Sequence, residues 1–297
     1  MKNFLKEEYL KAGRIAYEVR ESLKKEKLLG KKIIDVCNMI EERIRIKGGQ
    51  PAFPCNLCIN DIAAHYTPNP KDNTVIKEGD VVKIDFGVQI NGFIADTAIT
   101  FSFNPKYELL LLATEKALME AIKIVKDQVK IGDIGKVIQS IASMYNYKPI
   151  SNLTGHSIEQ YNIHAGKSIP NIWIPSNQTL KKGEVYAIEP FLTDGAGLVK
   201  DEKLGNIYAL ISRRRLKEKE LNEFLEFLWE RFKTLPFTPR WIDGNYEDIN
   251  FKIMELVKRK VLRAYPILRE VRGGIVAQAE HTLVPTEEGC IILTGEL

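Results

Sequence analysis

An α+β fold interrupted by a helical insert is what this sequence predicts, from three observations. A β-rich hairpin spans Val81 to Phe103, apolar residues at helical spacing lie on both sides of it, and a block of purely helical character occupies 205–264 before strand-like sequence resumes. The body of the protein is therefore expected to comprise 1–204 and 265–297, with 205–264 as an inserted subdomain.

The elements follow in order. Ala12, Ile15, Ala16, Val19 and Leu23 share one face of a first helix, and Ile33, Val36, Cys37, Ile40 and Ile44 one face of a second, which Gly48 and Gly49 stop. In the hairpin, VVKIDFGVQI and FIADTAITFSF flank Asn91-Gly92, the dipeptide that best supports a type I′ turn. Two helices are expected over Glu108–Gln128 and Ile134–Tyr145, and strands over Val185–Thr193 and Ile275–Thr286. Inside the insert, Leu221, Phe224, Leu225, Leu228 and Phe232 form one helical face, and Ile249, Ile253, Leu256 and Val257 another.

With 297 residues, 44% of them hydrophobic, the chain can bury one large core, or one core and a modest appendage, without disulfides. Forty-three Lys and Arg against 39 Asp and Glu leave a net charge of +4, too little to make nucleic acid the principal partner. No DNA partner is expected, and Arg213 to Arg215 read as a solvated charge run. The N-terminus has no apolar core like that of a signal peptide, and no run of roughly 18 apolar residues occurs. No membrane association is expected, and a cytoplasmic location is. Four cysteines without framework spacing suit a reducing compartment. Cys55 and Cys58 form a CxxC but lack the further ligands of a zinc site, so they are read as small half-buried residues in a loop after Pro54.

A two-residue turn at Asn91-Gly92 pairs Ile90 with Phe93, which sets Gly87 opposite Asp96 and Asp85 opposite Ala98. Side chains alternate with period two, so Asp85 and Asp96 become diagonal neighbours on one face, with Cβ atoms about 7 Å apart and Gly87 leaving room between them. Two converging acids repel and raise one another's pKa unless a cation lies between them. A one-residue slip would turn one of them to solvent, so the hairpin alone leaves both outcomes open. The rest of the chain adds His156 in NLTGHSIEQ, Glu189 within the apolar run VYAIEPFL, and Glu280 in IVAQAEHTLV. An acid in such a strand must be paired, protonated or metal-bound. Four carboxylates and one imidazole exceed a closed four-coordinate zinc site and suit two ions sharing carboxylates, as in two-metal hydrolases. His281, one residue from Glu280, falls on the opposite strand face and is read as structural.

FPCNLCINDIAAHYTPNP, KIDFGVQINGFIADTAITF, NLTGHSIEQYNIHAGKSIPN, VYAIEPF and AQAEHTLVPTEEG, in this order, resemble the type II methionine aminopeptidases in their short, archaeal-like form. The helical insert before the last motif is the feature that separates type II from type I. The resemblance implies a pita-bread fold with pseudo-twofold halves, and removal of the N-terminal methionine from peptides and nascent chains by two-metal hydrolysis. It also implies two divalent ions, with Co, Mn, Fe and Zn all compatible with the carboxylate-rich set. Carried over, Asp85 is a ligand of one ion, Asp96 and Glu280 bridge, and His156 and Glu189 serve the other, with Glu189 also the proton shuttle. His65 in AAHYTP would contact substrate near the scissile bond, and His164 in IHAGK would stabilise the oxyanion. Phe53 and Ile163 would line the methionine slot, with Tyr265 closing it. Ile207 falls where some relatives carry a rim histidine, and Cys58 at an often hydroxylated position; both could shift inhibitor sensitivity or metal preference. Partners are Met-initiated peptides and nascent chains, with the ribosome left open and a monomer expected. The competing readings are an Xaa-Pro peptidase of the same fold, which usually has a separate N-terminal domain, and a non-catalytic RNA- or ribosome-binding relative, which would have lost ligands.

Overall fold

The computed structural model describes residues 5–296. Its helices are α1 Glu7–Leu23, α2 Ile33–Ile46, α3 Glu108–Lys123, α4 Ile131–Met144, α5 Lys219–Phe232 and α6 Tyr246–Lys258. The first strands are β1 Gln50–Pro51, β2 Asn56–Ile59, β3 Ile62–Ala64, β4 Val81–Ile90 and β5 Phe93–Ser102. They are followed by β6 Lys148–Pro149, β7 Thr154–Ile158, β8 Ser168–Pro170, β9 Val185–Ile188 and β10 Phe191–Thr193. The last are β11 Val199–Leu210, β12 Leu262–Glu270, β13 Val276–Gln278, β14 Glu280–Pro285 and β15 Cys290–Ile292. None of the described helices is long and apolar enough to cross a membrane.

Local chemistry sets several of these boundaries. Gly48 sits at φ +82° just past α2, and the Gly49 and Gly48 amides donate to the Ile44 and Arg45 carbonyls at 3.0 and 2.9 Å, closing a Schellman cap. Asn91 and Gly92 adopt φ of +52° and +83°, the signature of a type I′ turn, and the β4–β5 register runs from Ile90 opposite Phe93 to Val81 opposite Ser102, as the turn predicts. α3 ends at Lys123, short of the expected Gln128, because Asp127 and Gln128 give their amides to the Thr286 and Leu180 carbonyls instead of continuing the helix. α4 starts at Ile131, earlier than its apolar spacing suggests.

A nine-stranded sheet carries β1-β4-β5-β14-β9-β7-β8 in order, with β2 also on β4 and β15 on β14. Each helix pair covers one half of it. Val82, Ile84, Phe86 and Val88 of β4 pack with Ala16, Val19, Val36 and Ile40 of α1 and α2. Tyr186, Ile188 and Leu283 pack with Ala117, Ala121, Ile134 and Ile138 of α3 and α4. This two-halved layout is the expected pita-bread arrangement. By alternation, Asp85 and Gly87 lie on the opposite face of the sheet from these helices.

Both long strands expected in the second half are broken, and for a reason that matters to the site. Val185–Thr193 divides at Glu189-Pro190, where proline has no amide for the ladder, and Ile275–Thr286 divides at Ala279. Beyond these breaks β10 and β13 leave the main sheet and pair with each other. The helical segment is also narrower than its composition suggests. Residues 205–210 and 262–264 are strand, β11 and β12 pairing antiparallel from Val199–Glu270 to Leu210–Leu262. α5 and α6 rise from that ribbon and close their own core of Leu221, Leu225, Leu228, Ile253 and Leu256 over Tyr208 and Phe237.

Candidate metal centre and active-site cavity

Sheet register brings the acids together. Asp85 lies opposite Ala98 and Asp96 opposite Gly87, and β14 joins β5 with Glu280 on the other side of Ala98. Glu280 therefore shares the face of Asp96. His156 pairs with Ala187 on β7–β9, and Glu189, two residues beyond Ala187, returns to the same face at the strand break. One ligand atom each of Asp96, His156 and Glu280 falls within 4.8 Å of the others. His156 Nε2 lies 3.7 Å from Asp96 Oδ2 and 3.5 Å from Glu189 Oε1. Gln278 donates to Glu189 Oε2 at 3.3 Å.

The electrostatics of this cluster are those of acids without enough partners. Burial raises the Asp85 carboxyl to about 7, and burial and mutual repulsion push Asp96, Glu189 and Glu280 well above the carboxylate range. Asp85 Oδ1, Asp96 Oδ1 and Glu280 Oε1 are buried without a hydrogen-bond partner, against the rule that buried polar atoms are satisfied. Burial lowers His156 to about 3, leaving a neutral imidazole able to ligate. Oxygen-rich donors with orphaned lone pairs beside a neutral imidazole fit divalent cations of the first transition row.

A cavity of about 440 Å³ opens above this floor, lined by Asp85, Asp96, His156 and Glu189 below and by Phe53, Ile163, Ile207, Tyr265 and the two other predicted histidines around it. His65 adopts φ +64°, its Nδ1 is 3.1 Å from the Pro266 carbonyl, and its ring meets Tyr265 edge-on at 5.4 Å. Burial holds it at about 4, hence neutral. His164 projects into the cavity edge-on to His156, with ring centroids 4.4 Å apart. Gly87 has a different role from the one expected of it. A Cβ there would lie 2.5 Å from the Phe53 ring and 2.9 Å from Ala52, so the missing side chain admits Phe53 over the strand.

Of the predicted site residues all but Glu280 line the cavity, and Glu280 is buried beside Asp96 and His156. Cys58 does not line it: instead of a half-buried loop position, Cys55 and Cys58 are both fully buried, Cys58 on β2 opposite Lys83, where burial raises its thiol to about 12. His281 points to the helix side, near Arg20 Nη1 at 3.1 Å and Thr294 Oγ1 at 2.8 Å. Arg213 to Arg215 are surface residues, with Arg213 paired to Glu226 at 2.8 Å. Sequence reasoning missed three groups. Asn56 lies opposite Asp85 with a buried, unpartnered Oδ1, and Arg263 stands on the cavity wall. Gln278 had a readable signal, since it precedes Glu280 by two residues in a strand-like run; Asn56 and Arg263 had none.

A model of metallopeptidase family M24 matches residues 7–234. The chain is 45% identical to a methionine aminopeptidase of Methanocaldococcus jannaschii over 288 residues, which is 97% of this chain and 98% of that protein. A thermophilic Arx1 structure is similar with a TM-score of 0.83 at 20% identity, over 98% of this chain and 90% of the other. A methionine aminopeptidase from Thermotoga maritima is similar with a TM-score of 0.70 at 23% identity, over 98% and 96%. At those identities the two structures carry the fold alone.

Proposed function

The chain belongs to metallopeptidase family M24, among its archaeal-type methionine aminopeptidases, and from that premise we propose that it releases N-terminal methionine from peptides and nascent chains using two divalent ions. Asp85, Asp96, His156, Glu189 and Glu280 would hold the ions in this reading. The observation that supports it is the convergence of three carboxyl groups and a neutral imidazole on the floor of one cavity, with the buried Glu280 carboxyl beside Asp96 and His156 and with oxygens on Asp85, Asp96 and Glu280 lacking any partner.

When bound, such ions supply Lewis acidity and lower the pKa of water toward neutrality. The side chains do the rest. Glu189 takes up a proton and passes it to the leaving amine. His164 donates an N–H to the carbonyl oxygen as charge develops on it, and neutral His65 holds the peptide beside the scissile bond. Phe53, Ile163 and Tyr265 form an apolar slot in which an unbranched thioether fits. The ions are drawn from Co, Mn, Fe and Zn, all of which accept this donor set. The helical segment is an appended subdomain, the protein acts as a monomer in the cytoplasm, and a ribosomal contact would run through its surface.

Replacing Glu280 or Asp96 with Ala should abolish bound metal and turnover of a Met-Ala-Ser peptide together. Retained turnover would sink the assignment, and faster cleavage of Ala-Pro than of Met-Ala peptides would hand the chain to the Xaa-Pro peptidases of the same fold.

A further inference from the structure

The floor of the cavity is acidic, and its walls carry a single permanent cation, Arg263, among the residues that line it. Arg263 lies on β12 opposite Ala209 and is exposed, which places it at the mouth. Its guanidinium carbon sits 5.0 Å from the centre of the Tyr265 ring, and Tyr265 in turn packs edge-on to His65. A guanidinium over an aromatic face is held in place without losing its hydrogen-bond donors. The Tyr265 ring is the cation–aromatic contact that fixes it, and no carboxylate within 4.0 Å neutralises it among the described residues. Through Tyr265 it adjoins His65, and it lines the same cavity as His65 and His164.

We infer that Arg263 is a specificity residue that favours peptides carrying an acidic side chain within a few residues downstream of the cleaved bond. The inference rests on the proposed reading, in which His65 and His164 bracket the scissile peptide. A chain leaving between those imidazoles toward solvent passes the one cation on the wall, and a carboxylate there can accept a forked pair of N–H donors from the stacked guanidinium. A lysine at the same place meets a like charge. Because Arg263 is exposed, the preference is modest and salt-sensitive, acting through encounter as much as through retention.

The test compares C-terminally amidated Met-Ala-Asp-Asp-Gly, Met-Ala-Ser-Ser-Gly and Met-Ala-Lys-Lys-Gly with wild type, Arg263→Gln and Arg263→Glu. Binding is read on metal-free protein by competition anisotropy, and cleavage on metal-loaded protein. The expected wild-type preference for the Asp over the Lys peptide is roughly two- to fivefold at low ionic strength, the range of an exposed ion pair. It should shrink with added salt, fall to about one in Arg263→Gln and invert in Arg263→Glu. An Asp-to-Lys ratio unchanged by Arg263→Glu would overturn the inference. Cleavage is a separate reading: if the metal-loaded wild type releases methionine from no peptide, the aminopeptidase reading fails, while the binding ratio still decides the role of Arg263.

Discussion

Arg240→Met is the most demanding perturbation of this architecture, because one buried ion pair ties the helical segment to the body. Glu41 on α2 accepts from Arg240 Nη1 at 2.6 Å and Nη2 at 2.5 Å, from Trp241 Nε1 at 2.7 Å and from the Cys55 amide at 3.1 Å. The side chains of Arg240 and Glu41 are 5% and 2% exposed, so neither charge has water as an alternative. Arg240 also reaches Asn38 Oδ1 at 3.0 Å and Thr67 Oγ1 at 3.3 Å, two residues past His65. Methionine keeps the length of the side chain but strands the Glu41 carboxylate with two neutral donors, which costs about 3–5 kcal/mol. With an unfolding entropy of roughly 2.1 cal/mol/K per residue over the 297 residues of the chain, Tm should fall by about 5–8 °C. Adding Glu41→Gln removes the stranded charge while leaving an acceptor for the Cys55 amide, so the double variant should be more stable than Arg240→Met alone. The assay is urea and thermal unfolding of metal-free protein. A loss below 1 kcal/mol, or a double variant less stable than the single, would refute the reasoning.

Three further outcomes follow from the site. Gly87→Ala must displace the Phe53 ring and is expected to cost about 1–3 kcal/mol and to raise KM for Met-Ala peptides, measured by unfolding and steady-state kinetics. Gln278→Leu removes the donor to Glu189 and should weaken metal affinity by roughly 10- to 100-fold in calorimetric titration, with the fold retained. For His65, the folded pKa of about 4 lies below the unfolded value of 6.5, so the unfolded chain binds the extra proton. Stability from this group is present above pH 6.5 and lost as pH falls toward 4. His65→Asn, which tolerates the positive φ, should therefore lose less Tm than wild type between pH 7 and pH 5.

Much of the hairpin was legible because its determinants are local. A turn that needs two positive φ values selects Asn91-Gly92, and from that turn the register and the diagonal placement of Asp85 and Asp96 follow residue by residue. The cap at Gly48 and the apolar faces of α1 and α2 were readable for the same reason. The strand breaks at Glu189-Pro190 and Ala279 were not, although Pro190 hinted at one, because a break depends on where the next strand finds its partner. Gly87 was singled out for the wrong neighbour: its space serves Phe53, which arrives from a preceding loop.

By itself, then, the sequence determined which side chains could form the centre and on which face of one hairpin two of them lie, since turn geometry and period-two alternation act within a few residues. Only the tertiary structure decided that β14 enters between β5 and β9, setting Glu280 beside Ala98 and bringing His156 within 3.7 Å of Asp96. The same holds for Asn56 opposite Asp85, for Arg263 at the mouth and for the Glu41–Arg240 pair. Those meetings join residues tens to hundreds of positions apart. They are chosen by how the two helix-covered halves and the helical segment bury their apolar faces together, not by any preference written into the residues that meet.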